Sequence, residues 1–432
     1  MNRIWHETKQ AHTGSYYAAT AKYQFDGSAL LGHETADVCV IGAGYTGVSA
    51  ALHLAERGFK VTVLEANKIG WGASGRNGGH VGTGQRKEQS DLEAMVGQDK
   101  ASLLWQFGLE AVATVENLVT KHQIDCDFKT GILHLASKSK ETQDFKAGVE
   151  HLRERYGYAQ AEFLTKAQVD ERVGSDKYHG GYLDHGSRHL HPLNYLLGMA
   201  KAAELAGVKF YQDSPVTHYV KGANPVVHTD QGSVAAKYLV FATNGYLAGL
   251  EPRLARKIMP INNFVLATEP LSAQEARALI RDDTALQDSL FVINYWKLSG
   301  DNRLIFGGGE NYTSRFPRDL KTFVQKYMLR VYPHLASKTI DYAWGGTLAI
   351  TLNRMPNFGR LEPNVFYAQG YSGHGVPTAT MAGKLLSEAV AGTAERFDVM
   401  ASLPQPMFPG GTLLRWPGLV AGMLYYSLMD KL

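Results

Sequence analysis

Residues 36–47 read Ala-Asp-Val-Cys-Val-Ile-Gly-Ala-Gly-Tyr-Thr-Gly. Val38–Ile41 is a short apolar run rich in β-branched residues, the pattern of a strand covered on both faces. Gly42, Gly44 and Gly47 follow at once as Gly-x-Gly-x-x-Gly. The first glycine permits the tight turn, the second lets backbone approach a pyrophosphate, and the third lets helix and strand pack closely. Downstream, Val48, Ala51, Leu52 and Ala55 share one helical face, and Gly58 provides a left-handed stop. Val61 and Val63 mark a second strand ending at Glu65, whose carboxylate can accept from ribose hydroxyls. Strand, turn, helix, strand and acid arrive in the order of a dinucleotide site. Gly42, Ala43, Gly44, Tyr45, Thr46, Gly47, Glu65 and Ala66 are therefore expected to bind the nucleotide.

Gly70–Gly79 reads Gly-Trp-Gly-Ala-Ser-Gly-Arg-Asn-Gly-Gly, five glycines in ten residues. Backbone that must pass close against a flat ligand needs this lack of Cβ atoms, although a flexible surface loop is the alternative. Gly72, Ser74, Arg76, Asn77, Gly78 and Gly79 are the candidate contacts. The chain has 432 residues, a net charge of +3, and ordinary apolar and charged fractions of 44% and 20%. That length suits two joined domains, and neither the charge nor any basic block points to nucleic acid. Two cysteines cannot make a disulfide framework, which suits a reducing cytoplasm. No apolar run long enough to span a membrane appears, and residues 1–35 lack a signal-peptide core.

Ser90–His122 has helical periodicity, Phe128–Ala136 is a candidate strand, and residues 141–156 form a charged helix. Thr165–Val173 is a further short helix. Gly181–Arg188 reads as a turn-rich connection. Pro192 then begins a helix running to Ala206, with Gly207 beyond it. The nearby His185, His189 and His191 lack a carboxylate set, so no metal is expected. Val208–Tyr211, Val216–Val220 and Tyr238–Ala242 read as strands, the last leading into Thr243-Asn244-Gly245. Pro260–Glu269, Phe291–Leu298 and Arg303–Phe306 alternate like sheet strands. Phe316–Tyr332 reads as a helix. Beyond it Val365–Ala368 is a strand, followed by Gly370-Tyr371-Ser372-Gly373-His374-Gly375 and a helix to about Val390. Leu413–Leu432 reads as a packing helix, with a membrane-surface contact as the alternative.

These glycine-rich segments, with Glu65-Ala66, resemble the D-amino-acid oxidase and glycine oxidase superfamily of FAD enzymes. Further likeness lies in Gln123–Asp127, Leu183-Asp184-His185, His191–Asn194 and Asp301–Leu304. It continues through Arg354-Met355-Pro356, Gln369–Gly375 and Ala394–Asp398, pointing to a branch acting on γ-glutamylated polyamines. The resemblance implies an α/β fold: a Rossmann-like FAD-binding domain with an interleaved α+β substrate domain built on an antiparallel sheet. The expected partition is an arm at 1–35; FAD-binding segments 36–90, 187–257 and 341–395; substrate segments 91–186 and 258–340; and a tail at 396–432. It also implies non-covalent FAD, with Val216 near adenine, Thr243 and Asn244 over the nucleotide, and Gly345, Gly370 and Gly373–Val376 around the flavin.

The implied reaction removes the primary amine of a γ-glutamylated polyamine, giving an aldehyde, ammonia and, with O2 as acceptor, H2O2. An oxidase or dehydrogenase of secondary amines or amino acids is the rival, and a flavin-binding subunit without turnover the non-enzyme alternative. His374 faces flavin or substrate, or merely packs. Tyr295, Trp296 and Tyr371 are candidate pocket walls, each reading first as core when taken alone, and Lys297 is a candidate cation near the flavin, although a solvated strand lysine is the preferred reading. Sarcosine-type relatives follow the Ser-Gly-His-Gly turn with a lysine that holds the substrate carboxylate. Here Pro377 stands in that place, which argues against an α-amino acid bound in their manner. Arg303, Arg315 and Arg354 are candidates for a remote carboxylate.

Overall fold

The computed structural model describes residues 11–247, 249–310, 315–412, 414–415 and 417–418. Among these residues, two sheets organise the chain. The first runs in the order Asn357–Glu362, Val365–Gln369, Gly232–Phe241, Gly32–Ile41, Val61–Leu64, Lys209–Tyr211, with a short hairpin of His218–Val220 and Val226–His228 attached to Gly232–Phe241. Its four central pairings are parallel. Val38, Cys39 and Val40 are fully buried, as the apolar run requires, because helices cover both faces. The helix Tyr45–Ala55 and the helix Gly375–Val390 pack together over this sheet. Gly383 makes that possible: a Cβ there would lie 2.5 Å from the backbone N of Ala50.

The second sheet orders Ile340–Ile350, Met259–Thr268, Leu304–Glu310, Tyr295–Leu298, Ala285–Asp288, Lys129–Leu135, Gly180–His189 and His80–Val81, with Ala161–Thr165 pairing Gly180–His189. Only Ala285–Asp288 and Lys129–Leu135 pair in parallel among its described strands. An α/β body with an antiparallel companion sheet is the architecture anticipated above.

Several sequence expectations change. The stretch 181–188 is no turn but the interior of the strand Gly180–His189. Its glycines signal close neighbours: a Cβ on Gly181 would meet the His134 carbonyl at 2.3 Å, and one on Gly186 the Tyr158 hydroxyl at 2.0 Å. Residues 341–350, expected among the FAD-binding segments, pair along Met259–Thr268 in the second sheet. Gly345 and Gly346 had erased the alternation there; Gly345 leaves room for the rings of Phe264 and Phe316. Residues 187–189 and 80–81 join the same sheet. The run 90–122 breaks into Gln89–Val96 and Gln98–Lys121 at Gly97, whose φ is +82°. The strand expected from Phe291 starts at Tyr295, that from Val216 at His218, and the helix expected from Phe316 starts at Leu320, capped by Asp319. Most of the Leu413–Leu432 expectation lies outside the described residues.

The described part of the arm packs onto the body. Tyr17 is buried, the Tyr16 hydroxyl donates to Asp301 at 2.7 Å, and the Lys22 amide donates to Asn194 at 2.8 Å. His191 faces the arm through Thr20 at 3.0 Å while its Nδ1 accepts the Asn194 amide at 3.1 Å. It therefore caps the Pro192–Leu205 helix, and His189 bonds the Asp283 carbonyl at 2.9 Å, so both imidazoles serve packing.

Candidate active site

The turn after the first strand is built as its glycines require. Gly42 has φ +103°, and a Cβ there would lie 2.8 Å from the Ala242 carbonyl oxygen. A Cβ on Gly47 would sit 1.9 Å from the Gly42 carbonyl oxygen, so only glycine lets the helix start this close to the strand end. Ser74 accepts the Tyr45 amide at 3.0 Å, joining the Gly70–Gly79 loop to the helix N-terminus. Glu65 accepts the Ala43 amide at 2.8 Å and the Asn67 amide at 3.0 Å. Burial raises its pKa, opposed by those amides.

The glycine-rich loop is braced from within. Asn77 donates to the carbonyls of Ala73 and Ser74 at 3.1 and 2.9 Å and accepts the Gly79 amide at 2.8 Å. Arg76 is buried, donates to the carbonyls of Trp71 at 2.6 Å and Gly345 at 3.0 Å, and lies 4.3 Å over the Trp71 ring. It thus ties the loop to the second sheet.

One cavity of about 880 Å³ spreads from this turn between the two sheets. Gly44, Tyr45, Thr46, Ser74, Arg76, Asn77, Gly78 and Gly79 line it, with Asn244, Tyr295, Tyr371, Gly373, His374, Gly375 and Val376. The structure thereby brings together segments some 330 residues apart in the chain. Gly42, Ala43, Gly47, Glu65, Ala66, Gly72, Val216, Thr243, Gly345, Gly370 and Lys297 are outside its wall. Several of these support the wall: the Gly370 amide, at φ +75°, donates to Asn244 at 2.8 Å, and Gly72 packs on the Tyr246 ring. Ala66 lines a separate 200 Å³ hollow with Asp213, Ser214 and Gln231, and Val216 packs into the neighbouring apolar cluster.

Tyr371 and Thr46 share a hydrogen bond of 2.5 Å, and Tyr295 donates to Asn263 at 2.5 Å. Burial raises both phenols, so each presents a ring rather than a titrating hydroxyl. Of the candidate walls, Trp296 is core: it is fully buried, stacks on Tyr178 and Phe306, and donates to the Tyr332 hydroxyl at 3.0 Å. Lys297 is adjacent to Gly79 but outside the cavity. Its Nζ donates to the Leu190 carbonyl at 2.6 Å, and burial lowers its pKa to about 8.

His374 precedes the helix Gly375–Val390, and its Nε2 is buried without a hydrogen-bond partner. Burial and the Arg86 charge lower its pKa to about 4, so the ring is neutral at physiological pH. Residues absent from the sequence expectations complete the wall. His80 bonds the Leu286 carbonyl at 3.0 Å, and the His134 ring stacks on Tyr182 at 4.3 Å. Asp184 accepts from Thr83, Ser187 and Tyr158, each at 2.5 Å, and from the Gly186 amide at 3.0 Å. Reading 181–188 as a turn hid Asp184, though Leu183-Asp184-His185 had already carried part of the resemblance. Arg86, in a polar loop without periodicity, offered no signal. Of the three candidate arginines only Arg354 lines the cavity, its guanidinium 5.7 Å over the Phe291 ring; Arg303 pairs with Asp301 and Asp341.

A turn that tolerates no Cβ, a helix N-terminus aimed into a large cavity and a carboxylate at the second strand's end fit FAD. The family model described as FAD dependent oxidoreductase (DAO) matches residues 37–389. The chain is 44% identical over 422 residues to gamma-glutamylputrescine oxidoreductase of Escherichia coli K12, covering 98% of this chain and 99% of that protein. It is 38% identical to the probable oxidoreductase OrdL of Haemophilus influenzae, covering 98% of each. The crystal structure of glycine oxidase from Geobacillus kaustophilus superposes with a TM-score of 0.72 at 21% identity, covering 87% of this chain and all of that one, a likeness of fold. On the extent of these matches, the chain belongs to the DAO family of FAD-dependent oxidoreductases.

Proposed function

We propose that this flavoenzyme deaminates the terminal primary amine of γ-glutamylputrescine, or a close γ-glutamylated polyamine, to the aldehyde. The observation that carries the reading is the continuity of one cavity from the FAD cradle, past the neutral His374, to Arg354. The full-length similarity to gamma-glutamylputrescine oxidoreductase supports the choice of substrate. Gly44, Tyr45, Thr46, Ser74, Arg76–Gly79 and Asn244 would hold FAD along one side of the cavity, with Gly42, Ala43, Gly47, Glu65, Ala66, Gly72, Val216, Thr243, Gly345 and Gly370 behind that wall or beyond it. Gly373–Val376 would hold its pyrimidine edge. When bound, FAD supplies the acceptor for the hydride leaving the amine-bearing carbon.

The chain's task is to present that amine in neutral form. Burial and the Arg86 charge lower the His374 imidazole to about 4, far below an alkylamine, so it is too weak a base to take the ammonium proton. His374 is therefore not a stoichiometric base. A rotation of the ring would bring its unpartnered Nε2, buried in the cavity wall, to an N–H of the neutral amine and so orient the reacting carbon, while burial of the amine favours its neutral form. The rings of Tyr295 and Tyr371 wall the alkyl chain, and Arg354 meets the distal carboxylate. Hydride loss from R–CH2–NH2 leaves a protonated imine. Water then adds and ammonia leaves, giving the aldehyde. O2 takes the electron pair with two protons as H2O2, and the two buried free thiols accord with a reducing cytoplasm.

Anaerobic flavin bleaching with γ-glutamylputrescine, putrescine, sarcosine and glycine side by side tests the reading. The γ-glutamylated amine should reduce the flavin fastest; faster reduction by sarcosine or glycine would overturn it. Oxygen uptake with stoichiometric H2O2 tests the acceptor.

A further inference from the structure

Ser372 is a non-glycine residue held at φ +53°, and Gly373 follows at φ +94°. A serine in the left-handed region costs of order 1 kcal/mol unless the surroundings hold it, whereas Gly373 adopts its angle freely. Here Ser372 is held from every side. The Ser372 amide donates to the Ala349 carbonyl at 3.0 Å, and its hydroxyl accepts the Thr351 amide at 3.1 Å and donates to the Gly370 carbonyl at 3.2 Å. The remaining group, the Ser372 carbonyl, accepts from Arg86 Nε at 3.1 Å. A Cβ on Gly373 would lie 3.9 Å from that same nitrogen. Arg86 thus brings a permanent positive charge from the polar loop after His80–Val81 to the turn that opens the Gly375–Val390 helix, and it lines the cavity there.

That helix opens Gly375-Val376-Pro377, so one of its first-turn amide donors is absent. Reduction of the isoalloxazine places negative charge on its N1–C2=O edge, the edge this turn would face. A cation beside that edge stabilises that charge more than the oxidised ring, an effect that the Glu88 carboxylate, also on the cavity wall and within reach of the Arg86 charge, offsets in part.

We propose that Arg86 is the fixed cation of the redox site, tied to Ser372 so that it raises the reduction potential of the bound FAD. The inference rests on the family assignment of FAD and not on the choice of amine. It is measured without any substrate, so its failure and a failure of the substrate reading are separable. The experiment compares Arg86→Lys, Arg86→Gln and wild-type holoenzymes by dye-equilibrated reductive titration and by sulfite titration of the oxidised flavin.

Arg86→Gln should weaken sulfite binding 10- to 100-fold and lower the two-electron potential, by about 30 mV for each tenfold. Arg86→Lys, which keeps the charge, should recover most of both. A potential and sulfite affinity within twofold of wild type in Arg86→Gln would overturn the proposal. So would equal losses in Arg86→Lys and Arg86→Gln, which would assign Arg86 to holding the turn alone. Should Arg86→Gln purify without FAD, reconstituted Arg86→Lys decides: wild-type sulfite affinity upholds the charge role, and a tenfold loss refutes it.

Discussion

The hydrogen-bond role proposed for His374 makes an unusual demand on the pH dependence of flavin reduction. Its imidazole titrates near pH 4, with burial as the first cause and the Arg86 charge as the second. It is therefore already deprotonated across the range in which the enzyme can be assayed. Among the described residues Lys297, lowered to about 8, stands outside the cavity, so the acid limb is assigned to the substrate ammonium, near pH 10 by its alkylamine character. The rate constant of reduction divided by the dissociation constant, measured by anaerobic stopped flow, should rise tenfold per pH unit from pH 7 to pH 9. His374→Ala removes one acceptor from the amine, a loss of roughly 1–2 kcal/mol, and should lower the curve about 5- to 30-fold without moving it. A general base would instead contribute about 10²- to 10⁴-fold. His374→Asn, which keeps an acceptor oxygen, should recover part of the loss. A wild-type limb centred between pH 5.5 and 7.5 that vanishes in His374→Ala would refute the reasoning, because it would require an imidazole that titrates normally and takes the proton itself.

Other expectations follow from particular contacts. Gly47→Ala would bring a Cβ to 1.9 Å from the Gly42 carbonyl oxygen, so the turn must retreat by about 1 Å; the variant should purify with little FAD and a lowered Tm. Gly148→Ala, in the helix Glu141–Tyr156 with nothing within 4 Å, is its control and should gain up to about 1 kcal/mol. The buried His191 has its pKa lowered to about 3 by burial, and its Nδ1 must stay unprotonated to cap a helix. Its folded pKa lies below the unfolded 6.5, so the unfolded chain binds more protons between these values, and stability falls as pH drops from 6.5 towards 3. At pH 5 this group alone costs about 2 kcal/mol, and Tm measured from pH 7.5 to 5 should fall with proton uptake on unfolding; a flat Tm would contradict the assignment. Arg354→Met should raise the KM for γ-glutamylputrescine at least tenfold while changing kcat little, and should leave activity on putrescine unaltered.

Local sequence carried the cofactor site because its constraints are local. A glycine that a Cβ would drive into the next carbonyl, as at Gly47, is legible within a dozen residues, and so is the strand Val38–Ile41, whose burial needs only an apolar run. Helices with a capping residue and an amphipathic face were legible too: 141–156 and the helix opening at Pro192 lie where periodicity put them. The second sheet was harder to read. Gly180–His189 and Ile340–Ile350 owe their glycines to neighbours distant in sequence, the His134 carbonyl, the Tyr158 hydroxyl and the rings of Phe264 and Phe316. Such glycines look like turns until those neighbours are in place.

The same distinction separates cofactor from chemistry. From sequence alone came the dinucleotide turn, the glycine-rich loop and the distant Gly373–Gly375 turn, each of which carries its reason in its own few residues. Tertiary structure alone decided that Trp296 is core, that Lys297 stands beside Gly79 but outside the cavity, and that Arg354 rather than Arg303 reaches it. It also brought Arg86 to Ser372 and left His374 Nε2 without a partner. Which way a side chain faces, and what charge stands near it, depends on contacts between residues hundreds of positions apart, and no local pattern encodes them.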